Sequence, residues 1–262
     1  YLPQRPFARR EAVSSSAIEG TVTTLTDLYS FEAASERDRH GGDTKEVHNY
    51  VLALEEAFGQ LEQLPISGRV LKNAHARLLS GLTFERGAKN RPGEYRTTDP
   101  AWTGSRFIEE ARFVFSPPNE VANCMSDLEK FIADNNDYPP LIKAALAHYQ
   151  FETIHPFHDG NGRVGRLLVP LYLCEAGSFP QQLLFISPYC EKQREEYVSR
   201  LFMVSKEGRW EEWISFFLKG VTDQANDFIV RSKKILDLQS DIKNRLTKAR
   251  TSILLMGLVD LI

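Results

Sequence analysis

The chain has 262 residues, is 42% hydrophobic and 26% charged, and carries a net charge of −3. That length supports one large core with appendages, while the weak acidity excludes a global electrostatic drive toward nucleic acid. No apolar run reaches the length that spans a bilayer, and Cys124, Cys174 and Cys190 read as free thiols, which points to a reducing cytoplasm and no membrane partner.

Taken from the N-terminus, residues 6–20 read as a helix ending at Gly20, 25–34 as a second helix, and 35–43 as a charged linker containing Gly41-Gly42. An amphipathic pattern covers 46–61, and another helix follows at 67–79 with Ser67 as its cap. Aromatics and alternation around 102–104 and 111–115 suggest two short strands, the second stopped by Ser116-Pro117-Pro118. Helices are expected at 120–133 and 141–154, then at 164–173, where Pro170 should kink the helix. Further helices are expected at 192–205 and 210–230. Residues 229–250 form a charged helical stretch with seven Lys or Arg, and 251–262 are apolar. The expected fold class is mainly α.

The chemistry concentrates between 155 and 166, in the run His155-Pro156-Phe157-His158-Asp159-Gly160-Asn161-Gly162-Arg163-Val164-Gly165-Arg166. His155 can take a proton near neutral pH. Asp159 is a hard oxygen ligand suited to Mg2+ held partly by substrate phosphates. Gly160 and Gly162 permit a turn whose N–H groups point at an anion, with the Asn161 amide as a further donor in the same concavity. The helix that follows offers its N-terminus to the same anion, and Arg163 and Arg166, three apart, share one face near its start. Pro156 disfavours a helical His155, so the site is helix, tight loop, helix. His148, His155 and His158 fall close together, but no cysteine stands at a zinc-like spacing, so a transition-metal site is not the reading.

This run resembles the Fic motif, H-x-F-x-(D/E)-G-N-G-R-x-x-R, at every specified position. Eight fixed positions match by chance about once in 10^10 trials, which makes the resemblance specific. The resemblance implies a Fic-type helical bundle with a short β-hairpin flap beside the active site, and an enzyme that transfers AMP from ATP to a hydroxyl of a target protein. It implies that His155 is the base, that Asp159 holds Mg2+, that the Gly160-Asn161-Gly162 turn cradles the α- and β-phosphates with Arg163 on the latter, and that Arg166 takes the γ-phosphate. Phe157 anchors the loop in the core. Ser15-Ser16-Ala17-Ile18-Glu19-Gly20 is similar to the family's inhibitory motif, (S/T)-x-x-x-E-(G/N). Ser15, Glu19 and Gly20 carry that likeness, and Glu19 would pair with Arg166 in the place of the γ-phosphate.

By the same resemblance, residues 91–118 form the flap that clamps a target segment by strand addition. The segment 105–110 departs from the short glycine-rich turn expected there. Tyr197 stands for one of a pair of tyrosines at the adenine site, Ser205 lies where an asparagine is expected, and Thr103 and Gly104 complete the nucleotide pocket from the flap side. The implied organisation is an N-terminal inhibitory segment at 1–42, a catalytic core at 43–220, and a C-terminal helical extension at 221–262. Relatives continue from such an extension into a winged-helix module, so DNA is a partner only if one follows Ile262. Otherwise the helix packs on the core or on a second copy in a homodimer. Expected partners are a protein target or the chain itself. Two alternatives remain open: removal of AMP, or transfer of another phosphate-containing group, on the same scaffold; and a transcriptional regulator whose pocket only senses nucleotide.

Overall fold

The computed structural model describes residues 4–35, 41–134, 137–178 and 183–248. Among them stand ten α-helices and one two-stranded antiparallel sheet, so the chain is mainly α as expected. The apolar stretch 251–262, and the winged-helix reading attached to it, lie outside the described residues.

The central pair is α6 (Pro140–Ile154) and α7 (Asn161–Glu175). Both are apolar around most of their circumference, which is the pattern of helices enclosed on all sides. Ala144, Ala145 and Ala147 let α6 approach its neighbours closely, and Trp213 of α10 (Trp210–Lys248) fills the space beside it, donating Nε1–H to the Ala145 carbonyl at 3.0 Å. Around this pair pack α3 (Gly42–Leu61) with α4 (Gly68–Leu78), α5 (Val121–Ala133), and the α8 (Ser187–Lys192) and α9 (Arg194–Glu207) turn. Helix α7 runs unbroken through Pro170.

Helix α1 (Gln4–Ile18) lies against α3, α7 and α8 and shares the common core through Phe7, Ala8, Ala12 and Ile18. Glu11, Ser15 and Glu19 recur every four residues on one face of it. Its end is a left-handed cap: Gly20 has φ +91°, Gly20 N–H donates to Ala17 O and Thr21 N–H to Ser16 O. Only glycine takes that conformation without strain, and the cap fixes Glu19 as the last residue of the turn. Helix α2 (Leu25–Ala33) then starts with a reciprocal Thr24–Asp27 capping box.

Four expectations shift. Helix α3 begins at Gly42 rather than 46, because Asp43 in its first turn gains partners: it accepts the Val22 N–H at 3.1 Å and pairs with Arg86, while Thr44 bonds Thr23. The helix expected at 192–205 is two elements, α8 and α9, broken at Gln193. The stretches 210–230 and 229–250 are one helix, α10, so the division at 220/221 falls inside it. The strands are β1 (Trp102–Thr103) and β2 (Phe113–Val114), with Trp102 opposite Val114. They are shorter than 102–104 and 111–115 because Gly104 turns out at φ +95° and a helical turn at Ile108–Glu110 fills the connection.

Candidate active site

The loop between α6 and α7 is held from three sides. Helix α6 stops at His155, whose φ of +53° and ψ of +61° are left-handed, as the following Pro156 disfavours a helical continuation. Phe157 is fully buried, stacked on His75 with ring centroids 3.9 Å apart. Asn161 closes the loop on itself, accepting the Phe157 N–H and donating to the Phe157 carbonyl, each at 2.8 Å. The Asn161 side chain thus serves the loop's own main chain. A buried loop leaves its main-chain groups without water, and this side chain satisfies two of them. His75 completes the clasp, donating from Nε2 to Asp159 O at 3.0 Å and accepting the Gly93 N–H on Nδ1 at 2.9 Å. Burial pushes its pKa down to about 4, which fixes it as a neutral bridge.

His155, Gly162, Arg166 and Glu19 line one cavity of about 310 Å3, with Thr103 and Gly104 of the flap and Tyr197 of α9 on its walls. The His155 ring stacks on Phe115 at 3.9 Å, and burial pushes its pKa down to about 4, so the imidazole is a neutral proton acceptor at physiological pH. Arg166 is buried at 1% exposure. It donates from Nε to Ser15 Oγ at 3.0 Å, and from Nη2 to Ser15 O at 2.8 Å and to Glu19 Oε1 at 2.7 Å. Burial pushes the Glu19 carboxyl up, but the Arg166 guanidinium outweighs it, leaving the pKa below the usual value and the carboxylate charged. A Cβ at Gly162 would collide with that carboxylate and lie 2.8 Å from Arg166 Nη1, so glycine here keeps open the space that the acid fills.

Arg163, Gly160, Asp159 and His158 do not line this cavity, whereas Tyr197 and Ser205 do. Arg163, at 2% exposure, is bound by Glu46 of α3 and reaches Asp159 Oδ1 at 3.7 Å; in this state it braces the loop and does not line the cavity. Gly160 caps α7 at φ +75°. Asp159 is half exposed, with Oδ1 accepting the Gly160 N–H and Oδ2 the Asn90 amide at 3.4 Å. No group of three His, Cys, Asp or Glu able to hold a metal occurs among the described residues. One free-standing carboxylate suits Mg2+ only when substrate phosphates supply the remaining oxygens. Tyr197 is nearly buried and bonds His148 Nε2 at 2.7 Å, and Ser205 bonds Tyr149 at 2.7 Å, so both help hold the α6–α9 contact. His158 faces Asp99 at 3.8 Å.

Sequence reasoning missed His75 and Glu46, and saw in Arg96 only a member of the flap segment. It also missed Glu152, one turn before His155 on the cavity wall, whose pKa burial pushes up to about 7.

The sequence matches two family models, Fic/DOC family over residues 65–173 and Fic/DOC family N-terminal over 4–59, which together cover more than half of the chain. The chain belongs to the Fic/DOC family. A probable protein adenylyltransferase of Aquifex aeolicus is 34% identical over 112 residues, 43% of this chain and 31% of that protein. The protein adenylyltransferase Fic of Drosophila grimshawi is 31% identical over 173 residues, 63% of this chain and 33% of the relative. The chain thus spans about a third of the length of these curated relatives. A Fic family protein from Desulfovibrio desulfuricans superposes with a TM-score of 0.69 at 25% identity, covering 87% of this chain and 66% of the other. A Fic domain containing signaling protein from Bacteroides thetaiotaomicron shares the fold, with a TM-score of 0.64 at 22% identity over 88% and 85%. The Fic motif at 155–166 lies within the first matched region and Glu19 within the second.

Proposed function

We propose that this Fic/DOC chain is a protein adenylyltransferase, held inactive by Glu19. The observation that carries this reading is the 2.7 Å pair between Glu19 and Arg166 in the same cavity as a neutral His155. In the reaction, the oxygen of a target hydroxyl attacks the α-phosphorus of ATP. His155 takes the hydroxyl proton, the bond from the α-phosphorus to the bridging oxygen breaks, and pyrophosphate leaves with the electron pair. Mg2+, when held by Asp159 and the phosphates, would neutralise charge on the leaving group. Arg166 is free for the γ-phosphate only when Glu19 gives it up, and a fork of this kind suits a phosphate as well as a carboxylate. With Glu19 in place, ATP binds badly or with its α-phosphate off line, and loss of near-attack geometry costs on the order of 10^2-fold in rate. The base would lie between the flap at Thr103 and Gly104 and the α9 wall at Tyr197, and the target would dock along β1 and β2. No helix among the described residues is long and apolar enough to cross a membrane.

The test is incorporation of label from ATP marked at the α-phosphate, with Mg2+, into protein. Strong labelling by Glu19→Gly, weak labelling by wild type and none by Glu19→Gly/His155→Ala supports the reading. ATP binding without label in any form would sink it. Release of AMP from a premodified target by wild type but not by Glu19→Gly would instead assign Glu19 to water activation.

A further inference from the structure

Arg96 lies in the flap segment, before β1, and is almost fully enclosed, at 1% exposure. Every acceptor its guanidinium finds is a main-chain carbonyl. Nε donates to His155 O at 2.6 Å, Nη2 to Ile154 O at 2.9 Å and Ser116 O at 2.5 Å, and Nη1 to Asp99 O at 3.3 Å. Its own N–H donates to Pro156 O at 2.8 Å. Asp99 lies before β1 and Ser116 after β2, so one side chain grips both ends of the flap. Ile154 is the last residue of α6 and His155 its C-cap, at the end where free carbonyls carry the negative end of the helix dipole. That end supplies the counter-charge a buried guanidinium needs. The contact also pins a left-handed, non-glycine residue, a conformation that persists only where its surroundings over-determine it. The His155 ring rests on Phe115, the neighbour of Ser116, so the flap holds the base by its ring and, through Arg96, by its main chain.

We propose that Arg96 is a positioning residue for His155: one guanidinium ties both ends of the flap to the turn that presents the imidazole, so that the seat of the target segment and the aim of the base are set together. The inference rests on His155 being the base, as the transferase reading has it. A forked donor is required because one cation must reach four carbonyls in different directions, which an ammonium on a flexible stem does poorly. The fixed positive charge also opposes a second one on His155 and so helps keep the imidazole neutral.

Two variants in the Glu19→Gly background separate the contributions. Arg96→Lys keeps the charge and loses the fork; Arg96→Gln loses both. Both are expected to lower kcat about 100-fold, with KM for ATP within about twofold of the parent. The His155 imidazole titration, followed by NMR without turnover, should move upward in Arg96→Gln and stay in place in Arg96→Lys. A general loss of structure would not produce that split. A folded Arg96→Lys protein with parental kcat overturns the proposal, and so does a loss that appears only in KM for ATP. Should Arg96→Gln fail to fold, Arg96→Lys decides the matter by kcat alone. Should no form transfer label, the transferase reading fails separately. The ring contact between His155 and Phe115 in Arg96→Lys then decides, and its retention unchanged overturns the positioning role.

Discussion

Two arginines three residues apart on α7 are both buried and both paired with a glutamate, yet the two pairs differ in kind. Arg163 and Glu46 are enclosed on both sides, at 2% and 7% side-chain exposure. Arg166 is as deeply buried, at 1%, but Glu19 stands 39% exposed on the cavity wall. A pair enclosed on both sides cannot be opened without leaving a charge uncompensated in the core. A carboxylate reached by solvent can leave if another anion takes its place. Glu46 is also held from behind by Arg86 and Thr21, whereas Glu19 has Arg166 as its ion-pair partner. On the proposed reading, one arginine of the motif builds the loop and the other is exchangeable.

The comparison breaks most easily at Glu46. Glu46→Ala should destabilise the protein by about 3–5 kcal/mol, measured by urea unfolding, because it strands Arg163 in the interior. If it costs under about 1 kcal/mol, the pair is no more fixed than a surface one. Glu19→Gly should cost less stability than Glu46→Ala, since water and ions that enter the cavity can replace the half-exposed carboxylate at Arg166. The same variant should raise labelling on the order of 10^2-fold. Asn161→Ala, which strands the Phe157 N–H and carbonyl, should cost about 1–3 kcal/mol for each group left unsatisfied. A neutral result there would mean that the loop is held by Phe157 and His75 alone.

The smallest effect concerns pH. Burial lowers His75, His148 and His155 to about 4 from an ordinary 6.5, so the unfolded chain takes up protons that the native chain refuses. That contribution is present above pH 6.5 and is lost as the pH falls through 4. Glu11 and Glu152 are raised by burial to about 7 from 4.5, so their contribution is present below pH 4.5 and is lost as the pH rises through 7. The two sets oppose each other between about pH 4.5 and 6.5, three histidines against two carboxylates, so stability should fall there on acidification by the net of about one proton. Glu11→Gln removes one opposing group and should steepen the fall in stability on acidification over that window; an unchanged profile contradicts the assignment.

How much was legible depends on whether partners are near in sequence. The loop from His155 to Arg166 is contiguous, and the Pro156 stop and the helix after Gly160 follow from local chemistry. Glu19 was legible through its likeness to a known inhibitory segment, although its partner lies 147 residues away. Glu46 and His75 were not, because each reads as an ordinary position in a surface-to-core helix until the fold brings it 117 or 84 residues along the chain to the loop. Arg96 was covered only by the flap segment 91–118. Its acceptors are carbonyls, which every residue carries, so nothing in the residue types points to them. Asn161 was assigned to the anion because it stands between two glycines; that its side chain also satisfies the buried loop backbone follows only from how the loop folds.

The most direct measurement is calorimetric titration of Mg·ATP into wild type, Glu19→Gln and Glu46→Gln. Removing the charge that competes for Arg166 should tighten binding about tenfold or more in Glu19→Gln, as a fork released from a carboxylate becomes free for phosphate. Glu46→Gln should give no such gain. Equal affinity in wild type and Glu19→Gln, or equal tightening in both variants, would contradict the view that Glu19 holds the exchangeable arginine and Glu46 the fixed one.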